Sequence, residues 1–363
     1  MKARLSRHSL EMALAKCYDV CEKKSSDSLV QFVFEDHKLS LYSKGSFAYI
    51  QVHVDVTSDA VCDFTLKTAP ILDFVKYIDA EELLLMFDTE KKSCMISSAD
   101  KKSKIAFQSS SESMKDTADS TYEANFSLDD SFDFVNKLSS AAKFCSNNVQ
   151  EHPLTAIHCE VKKNVFKIKS ANGPVFFETS SAIKSEDSFE FYLHKKSSNI
   201  LRSIFIESSI TCSVNKNHFL VETNKCKLKI FIENSDKNSF PSQVTGWLDK
   251  KEDCSVKVSA HDLTKTLKYL GGLIDGAPIK ITCKDNKLSL ESNQANIAVK
   301  EILITEEQNG EATSDFNIKS FLDCVESFQS SWIKLHFIEM QADFYLCKLT
   351  SPNTVSLLCP VVS

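Results

Sequence analysis

Residues 310–329 read GEATSDFNIKSFLDCVESFQ, a short strand that runs straight into a helix. The same junction occurs twice earlier in the chain. CDFTLKTAPILDFVKYID (62–79) carries Leu72, Val75 and Ile78 on one side of its helix, and FEFYLHKKSSNILRSIF (189–205) leads from alternating aromatics into a second such helix. A junction repeated at this spacing makes internal repetition the first thing to establish, because it governs every later assignment.

Working outward, each junction sits in the second half of a longer pass. The first pass opens with SLEMALAKCYDVCE (9–22), where Leu10, Met12, Ala13, Leu14, Cys17 and Val20 fall near helical spacing. Val33, Leu39, Leu41, Tyr49, Val52 and Val54 follow in alternating, strand-like segments. The polar run SSSESMKDTADST (109–121) reads as a linker. The second pass opens with ANFSLDDSFDFVNKLSSAAKFC (124–145), a helix expected to be capped by Ser127, with Asp129 and Asp130 in its first turn. The third opens with CSVKVSAHDLTKTLKYLGGLI (254–274), with Leu263, Leu267 and Leu270 on the apolar stripe. Three domains are therefore expected, at 1–121, 122–250 and 251–363. Each has two helices packed against antiparallel sheets, an α+β fold class. The helices are too few, and their alternation with strands too irregular, for a doubly wound or TIM-barrel enzyme.

Composition agrees with a soluble globular chain: 42% hydrophobic and 25% charged over 363 residues. The net charge of −6 excludes a protein that coats nucleic acid with its whole surface, but not one that confines its basic residues to one face. The 13 cysteines mostly alternate with apolar residues and read as small buried hydrophobes in a reducing, cytosol-like compartment. Neither a signal peptide nor a membrane-spanning run is expected. There is no Gly-rich phosphate loop, HExxH, GxSxG or paired-cysteine metal motif. Gly271 and Gly272 read as a helix end, and Asp129, Asp130 and Asp133 as the acidic opening of a helix. No catalytic residue, cofactor or metal is expected.

With the repeat in place, several strings together resemble the bacterial-type beta sliding clamp, the processivity subunit of the replicative DNA polymerase, over essentially the whole chain. GEATSDFNIKSFLDCVESFQ resembles the family's glycine-acid strand leading into a phenylalanine-asparagine helix start, and SLLCPVVS (356–363) its hydrophobic-proline carboxyl terminus. NKCKLKIFIENSDKNSFPSQV (224–244) resembles the end of domain two, and IKSANGPVFF (168–177) a strand and turn within it. The similarity is diffuse, as in a divergent or bacteriophage-encoded member. The resemblance implies a head-to-tail, ring-shaped homodimer of clamp domains around double-stranded DNA, bound without regard to sequence. It also implies a replicative polymerase and a clamp loader as partners, no membrane, no catalysis, and a bacterial or, for a phage protein, host cytoplasm.

Helices would line such a ring. The segments 8–24, 67–78, 127–143, 194–205, 261–270 and 317–327 hold 13 Lys/Arg against 10 Asp/Glu, leaving the rest of the chain at −9. The DNA-facing candidates are Lys16, Lys23, Lys24, Lys76, Lys137, Lys143, Lys195, Lys196, Arg202, Lys265, Lys268 and Lys319, joined through the resemblance by Gln150 and His152. Ordinary solvation of a polar helix face is the competing reading for each lysine, and an inert loop for Gln150 and His152.

By resemblance, short partner peptides would bind an apolar pocket at Leu154, Ala171, Gly173, Val175, Phe176, Pro241, Val244, Cys359, Pro360 and Val361. Pro174 and Val175 replace the family's histidine-arginine pair, Cys359 and Val361 its methionines, and Thr245 and Gly246 supply no arginine, so the pocket is expected to be more apolar and less basic. The alternative is that the carboxyl end merely closes a strand edge. Ring closure would place Ile105 and Phe107 against Leu270, Leu273 and Ile274, with Lys101, Lys102 and Lys104 alongside; core packing is the alternative for Phe107. The rival function is a non-catalytic antiparallel repeat protein serving as a structural or protein-binding module.

Overall fold

A computed structural model describes residues 2–21, 28–35, 37–58, 61–115, 121–151, 153–204, 209–233, 240, 244–274, 276–294, 297–341 and 344–361. They carry one element order three times over, with one short extra strand in the third pass. The first pass is β1 (Lys2–Ser6), α1 (Arg7–Val20), β2 (Leu29–Glu35), β3 (Lys38–Lys44), β4 (Ala48–Asp55), β5 (Cys62–Lys67), α2 (Thr68–Tyr77), β6 (Glu82–Asp88), β7 (Ser93–Ser98) and β8 (Lys104–Gln108). The second is β9 (Ala124–Leu128), α3 (Ser131–Lys143), β10 (Ala156–Lys162), β11 (Val165–Ala171), β12 (Val175–Ala182), β13 (Ser188–His194), α4 (Lys196–Ile204), β14 (Ile210–Val214), β15 (His218–Glu222) and β16 (Cys226–Phe231). A short helix, α5 (Thr245–Leu248), precedes the third pass. That pass comprises β17 (Cys254–Ser259), α6 (Ala260–Leu273), β18 (Pro278–Lys284), β19 (Lys287–Gln294), β20 (Ile297–Ile304), β21 (Glu307–Asn309), β22 (Ala312–Asn317), α7 (Ile318–Glu326), β23 (Trp332–Gln341), β24 (Phe344–Ser351) and β25 (Thr354–Leu358).

Local chemistry repeats with the order. The first hairpin of each pass turns in two residues, between Glu35 and Lys38, Lys162 and Val165, and Lys284 and Lys287. His37, Lys163, Asn164, Asp285 and Asn286 take positive φ there, the geometry that matches the right-handed twist of the flanking strands. Three strand-to-helix junctions are capped by the residue that ends the strand, Ser6 Oγ accepting from Ser9 N–H, Ser259 Oγ from Asp262 N–H and Asn317 Oδ1 from Ser320 N–H, whereas Lys67 before α2 makes no side-chain cap bond. The cap of α3 is Asp130, whose Oδ1 accepts from Asp133 N–H at 2.9 Å, rather than the expected Ser127. Ser127 lies in β9, paired with Thr211, because the alternation of buried Ala124, Phe126 and Leu128 carries the strand through to Leu128. Beyond its last strand each pass folds back onto its own helix-leading strand: Ser110 N–H donates to Thr65 O, Glu233 N–H to Tyr192 O and Val361 N–H to Asp315 O.

The described residues form two compact units. One comprises residues 1–135 with 196–232, the other 136–195 with 233–363. In the first, β1-β6-β7-β8 form one sheet and β5-β2-β3-β4-β16-β15-β14-β9 another, so the second half of pass two extends the first half of pass one through β4 and β16. Leu10, Ala13, Leu14, Cys17 and Val20 bury the inner stripe of α1. Phe64 joins the core aromatics, stacked at 4.9 Å on Phe32 and 4.4 Å from Phe87. In the second unit, β13-β10-β11-β12-β25-β24-β23-β17-β21 form a nine-stranded sheet in which β12 pairs with β25, and β20-β19-β18-β22 form another. Its core includes Leu263, Leu267, Phe316, Phe321 and Phe337. All thirteen cysteines are free thiols, eleven of them buried, with Cys62 and Cys359 half-buried.

Gly310, which opens the deciding stretch, stands at φ 78 between β21 and β22. A Cβ there would fall on the carbonyl of Asp253. Gly310→Ala is expected to lower the free energy of unfolding by about 1–3 kcal/mol, read as a lower urea midpoint with an unchanged slope.

Candidate functional site

The second unit carries an apolar patch built on the paired ends of β12 and β25. Its floor is Ala171, Phe176, Ile338, Leu346 and Leu357, all buried. Leu154, Phe240, Val244, Trp247, Leu248 and Cys359 pack on it and remain partly exposed. Gly173, at φ 82, makes the tight turn before β12; Asn172 N–H donates to Val175 O, and Val175 is buried. Cys359 N–H donates to Pro174 O, pinning the carboxyl segment to that turn, while Pro360 is half-buried and Val361 is exposed at its edge. Lys348 Nζ donates to Leu248 O and so anchors the end of α5; the Lys250 ammonium covers the Trp247 ring at 3.6 Å. Of the expected pocket residues, Leu154, Ala171, Phe176, Val244 and Cys359 fall in this cluster, and Pro241 lies outside the described residues. Phe240, Trp247, Leu248, Ile338, Leu346 and Leu357 were not anticipated, although the apolar pair Trp247-Leu248 in an otherwise polar linker was a readable signal.

Beside this patch the His158 imidazole is nearly enclosed. It stacks on Phe240 at 5.4 Å, lies 4.9 Å from Tyr192, and places Nε2 3.4 Å from Glu190 Oε2, while Nδ1 is buried without a partner among the described residues. Burial, reinforced by the Lys169 ammonium, pushes it below the ordinary imidazole value of 6.5 despite the opposing pull of Glu190. Its neutral form is therefore favoured by folding. The stabilisation is complete above about pH 6.5 and is lost as pH falls through the depressed folded value. Tm is expected to drop on acidification below pH 6.5, and His158→Phe should reduce that slope; His336, likewise pushed down by burial, supplies a remainder.

The candidates for facing DNA divide by what holds them. Lys137 Nζ donates to Ser180 O and Ser181 Oγ, and Lys195 Nζ to Ser146 O and Asn147 Oδ1. Lys268 and Lys143 share Glu326, at 2.8 and 3.8 Å, and the Lys268 ammonium holds that carboxyl below the usual carboxylate range. Lys196 lies over Phe47. Lys76, Arg202, Lys265 and Lys319 are exposed on their helices and Lys16 is half-exposed; none of these five makes an ion pair among the described residues. Gln150 is exposed in the turn Val149–Glu151, and Lys23, Lys24 and His152 lie outside the described residues.

Of the expected ring-contact residues, Ile105 and Phe107 are half-buried on β8, the last strand of its sheet. Leu270 and Ile274 are buried in the core of the second unit, Leu270 on the apolar stripe of α6 and Ile274 just beyond the helix end, where its N–H donates to Leu270 O. They leave Tyr269 and Leu273, at 55% and 42% exposure, as the apolar surface of that helix. Among the described residues no cluster of His, Cys, Asp or Glu is placed to hold a metal ion, and no helix is long and apolar enough to cross a membrane.

No family model and no curated protein matches the sequence. Solved structures do. The DNA polymerase sliding clamp of Bacillus subtilis superposes with a TM-score of 0.89 at 14% identity, covering 100% of this chain and 99% of that one. The DNA polymerase III beta subunit of Thermotoga maritima gives 0.85 at 15% identity, with 100% and 99% covered. The Helicobacter pylori beta clamp bound to a DNA ligase peptide gives 0.86 at 16% identity, with both chains fully covered. Full-length superposition on proteins this distant in sequence, with the repeated element order and the antiparallel sheets that join successive passes, establishes the α+β clamp architecture: the chain has the repeated-domain fold of the bacterial DNA polymerase III beta sliding clamps.

Proposed function

We propose that this chain is a DNA polymerase processivity factor, a non-catalytic clamp of which two copies close head to tail around duplex DNA. Each copy would contribute three domains, 1–121, 122–250 and 251–363. One observation carries the closure: the repeat contains three equivalent strand edges of each kind, and only two of each are joined. β4 pairs with β16 and β12 with β25, whereas β20 and β8, the next members of the two series, end their sheets. Ile105 and Phe107 on β8 are half-buried, while residues at the same repeat positions, Leu228 and Ile230 on β16 and Ser356 and Leu358 on β25, are buried. An edge that presents unpaired N–H and C=O groups is a template for another strand, and a second copy supplies the matching one.

Enclosure makes retention topological, so the lining needs only weak, sequence-independent attraction to phosphates. The six long helices fit that role in charge: ten Lys/Arg against seven Asp/Glu, in a chain whose net charge is −6. Flexible cationic stems attract the backbone without reading bases. The apolar patch of the second unit would take short segments of the polymerase, the loader and other replication or repair proteins; peptide capture by the Helicobacter pylori clamp supports a partner of that kind. Leucine and phenylalanine anchors suit a pocket with no arginine in it. Cytoplasmic residence follows from the same reading.

Sedimentation at micromolar concentration tests closure. A species of about twice 40.7 kDa is expected, and a monomer at every concentration would overturn the reading.

A further inference from the structure

The two joints within the chain have one register. Ile230 faces Ala48 and Lys227 faces Gln51 in the first; Leu358 faces Val175 and Val355 faces Glu178 in the second. The hydrogen bonds at their ends also correspond. Phe231 N–H donates to Phe47 O and His53 N–H to Lys225 O; Cys359 N–H donates to Pro174 O and Ser180 N–H to Asn353 O. The fold-back bonds of Ser110, Glu233 and Val361 set β8, β16 and β25 in common alignment. The turns closing at Ala48, Val175 and Ile297 do the same for β4, β12 and β20. Carried to the third joint, between copies, this register sets Phe107 opposite Ile297, Ile105 opposite Val299 and Lys104 opposite Lys300.

We propose that Lys104 of one copy and Lys300 of the next face each other across the joint, so that this joint, unlike the two within the chain, is opposed by like charge and tightens with salt. The inference rests on the ring reading above. At the equivalent places Lys227 meets a neutral Gln51 and is itself 2.9 Å from Glu222, and Glu178 meets Val355. On β7, the residue beside Lys104 is Ser97, which offers no counter-charge. On β19, Glu291 is engaged by Lys300, and Lys280 flanks it on β18. Lys102, on the same face of the joint as Lys104, is bound to Asp100 at 3.3 Å, and Glu301 would face Ser103 on the opposite side of the sheet. The joint therefore brings together four lysines and two carboxylates on one face, and Lys104 has no carboxylate beside it among the described residues. Like charges directly opposite in an antiparallel pair repel, weakly at each joint and twice per ring. The apolar contacts of Ile105 and Phe107 hold the ring against that repulsion, leaving these joints the easiest of the six to open.

The dimer dissociation constant of the full chain, measured by sedimentation or fluorescence dilution, tests this. Raising NaCl from roughly 50 to roughly 500 mM should lower it several-fold, because the repulsion is screened. Lys104→Glu should lower it about tenfold at low salt, as two repulsive pairs become attractive. In a Lys300→Ala background that gain should largely vanish, and Lys101→Glu, in the turn between β7 and β8, should change the constant less than about twofold. A wild-type dimer indifferent to Lys104→Glu, or weakened by salt, overturns the charge juxtaposition alone. A wild type that never dimerises overturns the ring reading and this inference with it.

Discussion

Ala106→Pro is expected to leave a folded monomer that no longer dimerises at micromolar concentration. In the joint between β4 and β16 the outward hydrogen-bonding positions include Lys225 and Phe231, which correspond to Lys102 and Gln108. Alternation along the strand then turns the N–H of Ala106 away from β7, toward the place a second copy would occupy. A proline there removes an outward donor and obstructs the approaching strand, while the ladder to β7 keeps its bonds. With an outward ladder hydrogen bond removed and the approaching strand obstructed at each of two joints, the dissociation constant should rise at least about a hundredfold. Sedimentation reads the mass and circular dichroism the retained fold; a dimer of wild-type strength would show that β8 is not the contacting edge.

The second large effect is expected at the apolar patch. Trp247→Ala removes the largest of the partly exposed side chains packed on the cluster, and Leu154→Lys places a charge against the same apolar floor. Both residues are partly exposed, so the fold should tolerate the pair with a modest fall in Tm. Binding of a fluorescent peptide carrying one leucine and one phenylalanine should weaken about a hundredfold, since buried anchors of this kind dominate such interfaces. Full-strength binding would move the partner site elsewhere. Neither substitution touches β8 or β20, so dimerisation should be unchanged and the two surfaces can be separated experimentally.

How much of this was legible in the sequence depends on the range of the interaction. Helices are written locally: the apolar stripe of Leu10, Leu14 and Cys17, and that of Leu263, Leu267 and Leu270, place α1 and α6 correctly to within a few residues. The lead-in strand of α3 was less legible, because Ser127 and Asp130 are both good caps and only the pairing of β9 with β14 decides between them. Continuity of the sheets was not legible at all. Tyr49 faces Lys229, and nothing near either residue in the chain announces the other.

The expected ring contacts failed in part for the same reason. Leu270 and Ile274 have the composition of interface residues, but the rotation of α6 about its axis puts Leu270 in the core, the extended residue after the helix buries Ile274, and Tyr269 and Leu273 are left outside. Lysines were ambiguous because a side chain of that length finds local acceptors. Lys137 reaches a backbone carbonyl 43 positions away, a contact no helical pattern encodes.

Retention on DNA separates enclosure from ordinary electrostatic binding. The protein would be placed on a nicked circular duplex, washed at about 0.5 M salt to remove molecules held by phosphate contacts alone, and followed after a single restriction cut. A clamp should remain on the circle through the wash and leave within seconds of linearisation by running off the ends. Equal loss from circle and linear molecule, following salt rather than topology, would show that the chain binds DNA from outside and does not surround it.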